Sequence, residues 1–399
     1  MPLFLWAFLV AVVYIALMVL PGMSWGTPAA DVVLTPHPLR YVPQGALERL
    51  GPQLRELVEA QSRVDRRLPL PTLDTDFELT YLGPEPEILE INDVLANSGS
   101  SAILTVVDRP ELVLKYQVSC WNWDRVHPLV RDYIFLKSLA TLGVVPRVYY
   151  LSPPVRMLAA PSLKTRFRMS LHDRHMCARQ PGAAVRFMVM ERVIGSAWPL
   201  TQHEGSLGDS LTFIICALES IRIIHDRGIV HGDVHVGNIA LMLGRQRSTK
   251  IGFLDFGLAF IADEMEHKPD MRSAPMTENH CYFSHWNIEG FRFSYRDDVF
   301  KILMVGAWII NGPAWRAHCY ALELDAGAMV AWKRKGYLFQ VPGGWNTFAA
   351  YPRDVRYEIH EHLRTTLDLA RSVDELDGRP PYSRMIAALT AARLLTRRE

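Results

Sequence analysis

Two short polar motifs constrain this chain more than any other feature. The first is His231-Gly232-Asp233-Val234-His235-Val236-Gly237-Asn238, which follows the helix-like run IRIIHDRGIV. The second is Phe253-Leu254-Asp255-Phe256-Gly257, at the end of the strand-like run TKIGFL, with Asp255 seventeen residues past Asn238. Loops at the ends of short neighbouring strands can converge their oxygen ligands on one cation.

The residue types select a chemistry. Phosphoryl transfer needs one carboxylate to orient the attacking hydroxyl. It also needs a second carboxylate and an amide oxygen to hold Mg²⁺ against the phosphates. Asp233, Asp255 and Asn238 supply those types in that order. Mg²⁺ suits such a pair because it takes a few hard oxygen ligands and keeps waters. Upstream, Lys115 sits in the apolar strand run LVLKYQ. An ammonium there is costly without a partner. Asp132, in the helix pattern that follows, is a natural partner, and nucleotide phosphates are the other.

The organisation along the chain is compatible with this. Residues 21–45 are rich in Pro and Gly and read as a linker, residues 45–68 carry helical periodicity, and Pro69, Pro71 and Pro84 mark irregular chain. From about residue 88, short β-like runs (ILEINDVLA, AILTVV, ELVLKYQ) precede a helix pattern over 127–141, and PRVYYL and VRFMVME follow. After residue 205 the chain turns helical over 206–227, 298–311, 354–372 and 380–396. A small β-rich part thus precedes a larger helical one. Between them, 153–185 carries Arg156, Lys164, Arg166, Arg168, Arg174 and Arg179 against the single acid Asp173. It reads as a solvated loop, or as a docking patch for an acidic partner.

Taken together, these motifs resemble the protein-kinase fold. Lys115 looks like the β3 lysine, HGDVHVGN like the catalytic loop, and Asp255-Phe256-Gly257 like the DFG motif. FMVMERVIG is similar to the fifth strand and hinge, with Met190 at the gatekeeper position and Glu191 and Val193 in the hinge. SYRDDVFKILMVG resembles the start of the buried αF helix, with Asp298 as its anchoring acid. LARSVDELDGRPPYSRMIAAL resembles the C-terminal helices of the casein kinase group. Within that group the vaccinia-related kinases are most similar, with their HGD catalytic loop and a stretch like Phe283-Ser284-His285 in place of APE. The resemblance covers about 88–396 and implies an α+β, bilobal fold. A small antiparallel β lobe with helix αC would span about 88–192, and a mostly helical lobe about 193–396. It further implies ATP and Mg²⁺ as cofactors and protein hydroxyls as substrate, with Gly99, Ser100, Lys115, Asp132, Met190, Glu191, Val193, Asn238 and Asp255 around the nucleotide. Asp233, Lys115 and His235 would be catalytic, and Asn238 and Asp255 would be the metal ligands.

The chain also departs from that pattern. The glycine-rich loop is reduced to Asn97-Ser98-Gly99-Ser100-Ser101-Ala102. The αC glutamate is Asp132, one methylene shorter. Gly232 replaces the HRD arginine, which in many kinases binds a phosphorylated activation segment. His235 replaces the catalytic-loop lysine. Three functions stay open: an active Ser/Thr protein kinase, a pseudokinase scaffold that binds nucleotide weakly or not at all, and a small-molecule phosphotransferase.

Composition narrows the partners. Lys plus Arg is 43 and Asp plus Glu is 42, a formal net charge of +1, so no global field attracts nucleic acid. The five cysteines form no CxxC or zinc spacing and read as reduced, partly buried thiols. Residues 2–20 carry no charge and as a helix would reach about 28 Å, close to a hydrocarbon core. Residues 1–30 therefore read as a signal anchor inserted in a membrane or as a cleaved signal, and 31–87 as a linker and N-terminal extension. The chain is then expected to be membrane-anchored or secreted, with its kinase-like part in an ATP-containing, reducing compartment.

Overall fold

The computed structural model describes residues 79–82, 86–89, 91–97, 101–106, 109–119, 128–151, 155–156, 184–202, 205–243, 249–262, 283–288, 293–323, 326–335, 337–339, 348–372 and 378–397. The helix expected over 45–68, Gly99, Ser100 and nearly all of the basic 153–185 loop lie outside them.

Alternation of apolar and polar residues builds an antiparallel sheet. β4 (Ser101–Val106) buries Ala102, Leu104 and Val106 and turns the intervening residues outward, the period-2 signature of a half-covered strand. It pairs with β3 (Ile91–Asn97) on one side and β5 (Leu112–Ser119) on the other. β8 (Ala184–Glu191) pairs with β5 along its whole length, and β6 (Val148–Leu151) and β7 (Val155–Arg156) both pair with β8. A separate hairpin joins β1 (Leu79–Leu82) to β2 (Pro86–Leu89) across Pro84, within chain that the prolines mark as irregular. Pro86 is the first residue of its strand, where the missing N–H does least harm.

Helix α1 (Pro128–Leu139) begins with proline, whose fixed φ suits the first helical turn. Its end passes through a short 3₁₀ turn to Gly143 at φ 69°, the left-handed position that terminates it. α2 (Leu207–His225) is capped by the Ser206 hydroxyl, which accepts the Asp209 N–H at 3.0 Å. Beyond it lie α3 (His285–Ile288), α4 (Tyr295–Asn311), α5 (Pro313–Glu323), α6 (Ala326–Lys335), α7 (Arg353–Arg371) and α8 (Tyr382–Leu395). The sequence pattern predicts α1, α2, α4, α7 and α8 to within a few residues and leaves α5 and α6 unassigned. All seventeen residues of α4 are buried. Helix α2 packs between α4 and α8, and α7 packs on α8. The architecture is mixed α/β, an antiparallel sheet accompanied by a set of helices.

One expectation is overturned. Among the described residues no helix is long and apolar enough to cross a membrane. The fully buried helix α4 carries Arg296, Asp297, Asp298 and Lys301, and protein encloses it. This finding corrects the membrane-anchored or secreted placement; residues 2–20, which suggested it, lie outside the described residues.

A pH effect arises at α3. His285 is buried against Trp286 and Phe300. Burial first, and then the cations Arg371, Arg334, Arg296 and Lys333, push its pKa down to about 3. The unfolded imidazole takes up a proton near its ordinary value of ~6.5, which the folded one refuses. Stability is therefore fully present above that value and falls as the pH drops toward 3. The melting temperature should fall between pH 7 and pH 5, and fall less in His285→Phe. Identical pH profiles for the two proteins would remove His285 as the cause.

Candidate phosphoryl-transfer site

Two strand pairs bring the motifs together. β9 (Gly195–Ser196) flanks the second of them, pairing with β11 (Ile239–Leu243). β10 (Ile229–Val230) pairs with β13 (Phe260–Ile261), and β11 pairs with β12 (Thr249–Phe253). The 231–238 loop runs from β10 to β11 and the 254–259 loop from β12 to β13, so each loop spans the same two pairs. They are stitched directly. The Leu254 N–H donates to the Asn238 carbonyl at 2.8 Å, and His231 Nε2 donates to the Leu254 carbonyl at 2.9 Å.

His231 is fully buried, packed at a tilt against Phe256 with ring centroids 4.6 Å apart. Its Nδ1 accepts the Asp233 N–H at 3.2 Å while Nε2 donates, so the neutral ring fits both bonds. Burial lowers its pKa below the ordinary histidine value, which keeps it neutral.

Asp233 and Asn238 meet within the 231–238 loop. The Asn238 amide donates to the Asp233 carbonyl at 3.0 Å and to its Oδ2 at 3.1 Å. Both amide hydrogens are used on Asp233, which leaves the amide oxygen for another role. His235 stands beside them, with Nε2 3.8 Å from Asp233 Oδ2. Its Nδ1 accepts the Gly237 N–H at 3.1 Å, so the neutral ring carries its proton on Nε2, the nitrogen nearer Asp233.

Lys115, on β5, is the hub of an ion triad. Its Nζ lies 2.8 Å from Asp132 Oδ2 and 3.0 Å from Asp255 Oδ1. The pairing with Asp132 expected from sequence is present despite the shorter acid. Burial opposes the lysine's charge, but the two carboxylates outweigh it and raise its pKa above the ordinary value. Burial raises that of Asp132, against the pull of Lys115. At Asp255 burial pushes the same way, and the ammonium overrides it, so that carboxyl lies below its usual range. Asp132 does a second job: its Oδ1 accepts the Phe256 N–H at 2.8 Å, tying α1 to the loop. Asp255 is the sole non-glycine residue with positive φ (61°) among the described residues, and its carboxylate accepts the Gly257 N–H at 3.4 Å. Strain of that kind gathers at functional sites.

Met190 is buried on β8 between Val113 and Val148. Glu191 is committed to Arg147, whose N–H its carboxylate accepts at 3.1 Å. The next residue, Arg192, donates its N–H to the Glu111 carbonyl, and Ile194 donates to Leu241. Val193 lies between them and has no backbone partner among the described residues.

The loop's foundation is α4. Asp298 is completely buried and accepts three hydrogen bonds: from His231 N–H at 2.7 Å, Gly232 N–H at 3.0 Å and His225 Nε2 at 3.0 Å. Burial alone would raise its pKa, but the His225 hydrogen bond and nearby cations bring it below the usual carboxylate range. His225 Nδ1 in turn hydrogen-bonds the Tyr382 hydroxyl from α8. The sequence motifs point to Asp298 but not to His225, Tyr382 or Lys301. A lysine inside the run VFKILMVGAW was the available signal for the last.

With this geometry in place, comparison with known proteins adds a direction. The chain is 29% identical over 198 residues to the Serine/threonine-protein kinase VRK1 of Caenorhabditis briggsae, a match covering 48% of this chain and 33% of that protein. The similarity is to protein kinases. It is also 29% identical over 141 residues to the Serine/threonine-protein kinase VRK1 of Caenorhabditis elegans, covering 33% of this chain and 22% of that protein. The chain thus matches a third or less of the length of these curated relatives. No protein-family model matches it. The partial similarity points to the protein-kinase superfamily.

Proposed function

We propose that the protein is a Mg²⁺- and ATP-dependent Ser/Thr protein kinase with the bilobal arrangement of that superfamily, its nucleotide between the sheet and the helical part. The observation that carries this reading is the Lys115–Asp132–Asp255 triad beside the Asp233–Asn238 pair. A buried, charged lysine held by two acids is ready to meet phosphate oxygens. A scaffold protein would have no need of five polar side chains in this arrangement, since an apolar replacement of buried ion pairs is often neutral or stabilising.

The donor set fits Mg²⁺. Asn238 contributes an amide oxygen that Asp233 does not use, and the Asp255 side chain is 40% exposed and ionised. When bound, the ion would neutralise charge on the phosphate oxygens. Lys115 would bind the α- and β-phosphates. Asp233, held by Asn238, would orient the substrate hydroxyl and accept its proton at a carboxylate oxygen. His235 Nε2–H would donate a hydrogen bond toward the transferring phosphate, where a lysine would otherwise bring charge. The Val193 backbone would meet the adenine, beside Met190 and Glu191, and Gly99 and Ser100 would cover the phosphates.

Incubating the protein with labelled ATP and casein tests this. Incorporation should require Mg²⁺ and stop on chelation, and Mg-ATP should raise the melting temperature, because a ligand that binds only the native state stabilises it. No incorporation and no thermal shift would leave the scaffold reading. Transfer to small alcohols without transfer to protein would favour the small-molecule phosphotransferase.

A further inference from the structure

Lys301 lies one turn beyond Asp298 on α4, and both reach the same loop. Its ammonium is buried, with the residue 2% exposed, and donates to the Gly232 carbonyl at 3.0 Å. The Phe293 ring centroid is 4.4 Å from Nζ and that of Phe283 5.4 Å, so aromatic faces take up the rest of its charge. Burial lowers its pKa, against Asp298, Asp233 and Asp297.

Successive peptide units of the loop show what this contact does. The unit entering His231 is held through its N–H by Asp298 Oδ2, and the unit entering Gly232 through its N–H by Asp298 Oδ1. The unit joining Gly232 to Asp233 is held at both ends, its carbonyl by Lys301 and its N–H by His231 Nδ1. Three consecutive peptide planes leading into Asp233 are therefore fixed, and the last is the plane from which its side chain departs. Gly232 adopts φ 78°, and a Cβ there would lie 3.0 Å from the Leu258 carbonyl oxygen. The loop thus has no side chain at this position with which to brace itself, and the cation comes instead from the helix beneath.

We propose that Lys301 is a positioning residue. It fixes the Gly232–Asp233 peptide plane and so aims the Asp233 carboxylate, giving the loop a cation that its own sequence lacks. The catalytic consequence rests on the kinase reading above; the loop-fixing consequence does not.

Two variants test it in the full-length chain. Lys301→Met keeps bulk and removes the donor; Lys301→Gln keeps a donor without charge. In Lys301→Met, hydrogen exchange should accelerate at the amides of 231–238 and stay unchanged in α2 and α8. Phosphate transfer should fall by about 10²-fold in kcat, the cost of a small misplacement of a reacting group. The KM for ATP should stay within about twofold, because the contact concerns the hydroxyl-orienting side of the site. Lys301→Gln should recover part of both losses. Unchanged exchange at 231–238 in Lys301→Met overturns the proposal. So does acceleration spread equally over α2, α4 and α8, which would make Lys301 a general structural residue. If the wild type transfers no phosphate, the kinase reading fails, and the exchange data still decide whether Lys301 fixes the loop.

Discussion

Asp255→Asn should reduce phosphate transfer by about 10³-fold, the scale of losing one group aimed at developing charge. The substitution is nearly isosteric. The introduced amide oxygen would still accept the Gly257 N–H, and the left-handed backbone would be tolerated, since asparagine visits that region more readily than most residues. What disappears is the negative charge that the site would offer a cation, and one of the two carboxylates on Lys115. Asp132 remains 2.8 Å from that ammonium, so the lysine stays charged and the fold keeps its ion pair. The melting temperature without nucleotide should move little, and the Mg-ATP-dependent shift should shrink. Retention of more than about a tenth of wild-type transfer, well short of the expected loss, would remove Asp255 from the metal-binding role.

The second large effect is on stability and holds whether or not the protein is an enzyme. Asp298→Ala should destabilise the fold by about 3–5 kcal/mol, the range for removing one partner from a buried charged network. Three donors lose their acceptor at once: the N–H groups of His231 and Gly232, and His225 Nε2. All sit where water cannot replace the carboxylate, since Asp298 is completely buried. Lys301 would keep its carbonyl but lose the strongest of its compensating charges. Against a typical total of about 5–15 kcal/mol, this is a fifth or more of the stability, and the melting temperature should drop by roughly 10 °C. A drop of less than about 2 °C would mean that the loop finds other partners.

The residues legible in the sequence were those whose chemistry and spacing occur together. Asp233, Asn238 and Asp255 stood out because two carboxylates and an amide recur in two short motifs at a phosphoryl-transfer spacing, and the structure brings their two loops side by side. Asp132 was legible as a partner for Lys115 because one buried charge calls for another. Its bond to the Phe256 N–H was not legible, since nothing local in the chain relates positions 124 residues apart. Tyr382 was hidden for the same reason: its link to His225 spans 157 residues and joins two helices that pack only in the folded state. The β1–β2 hairpin was obscured by Pro84, which sits between the strands rather than interrupting one. The sequence pattern leaves helices α5 and α6 unassigned. The membrane expectation came from an apolar run read in isolation, and that run lies outside the described residues.

If the proposed kinase reading holds, the short acid at position 132 has a pharmacological consequence. One carboxylate holds the lysine with one oxygen and the Phe256 amide with the other, so neither group can leave its seat without disturbing the second. An inhibitor that needs Phe256 expelled from beneath helix α1 must first break that amide bond and then leave Asp132 half-satisfied beside a charged lysine. On the kinase reading proposed above, compounds that occupied the adenine site and left Phe256 in place would meet no such obstacle. Selectivity screens on this protein should accordingly return the second kind of compound and few of the first.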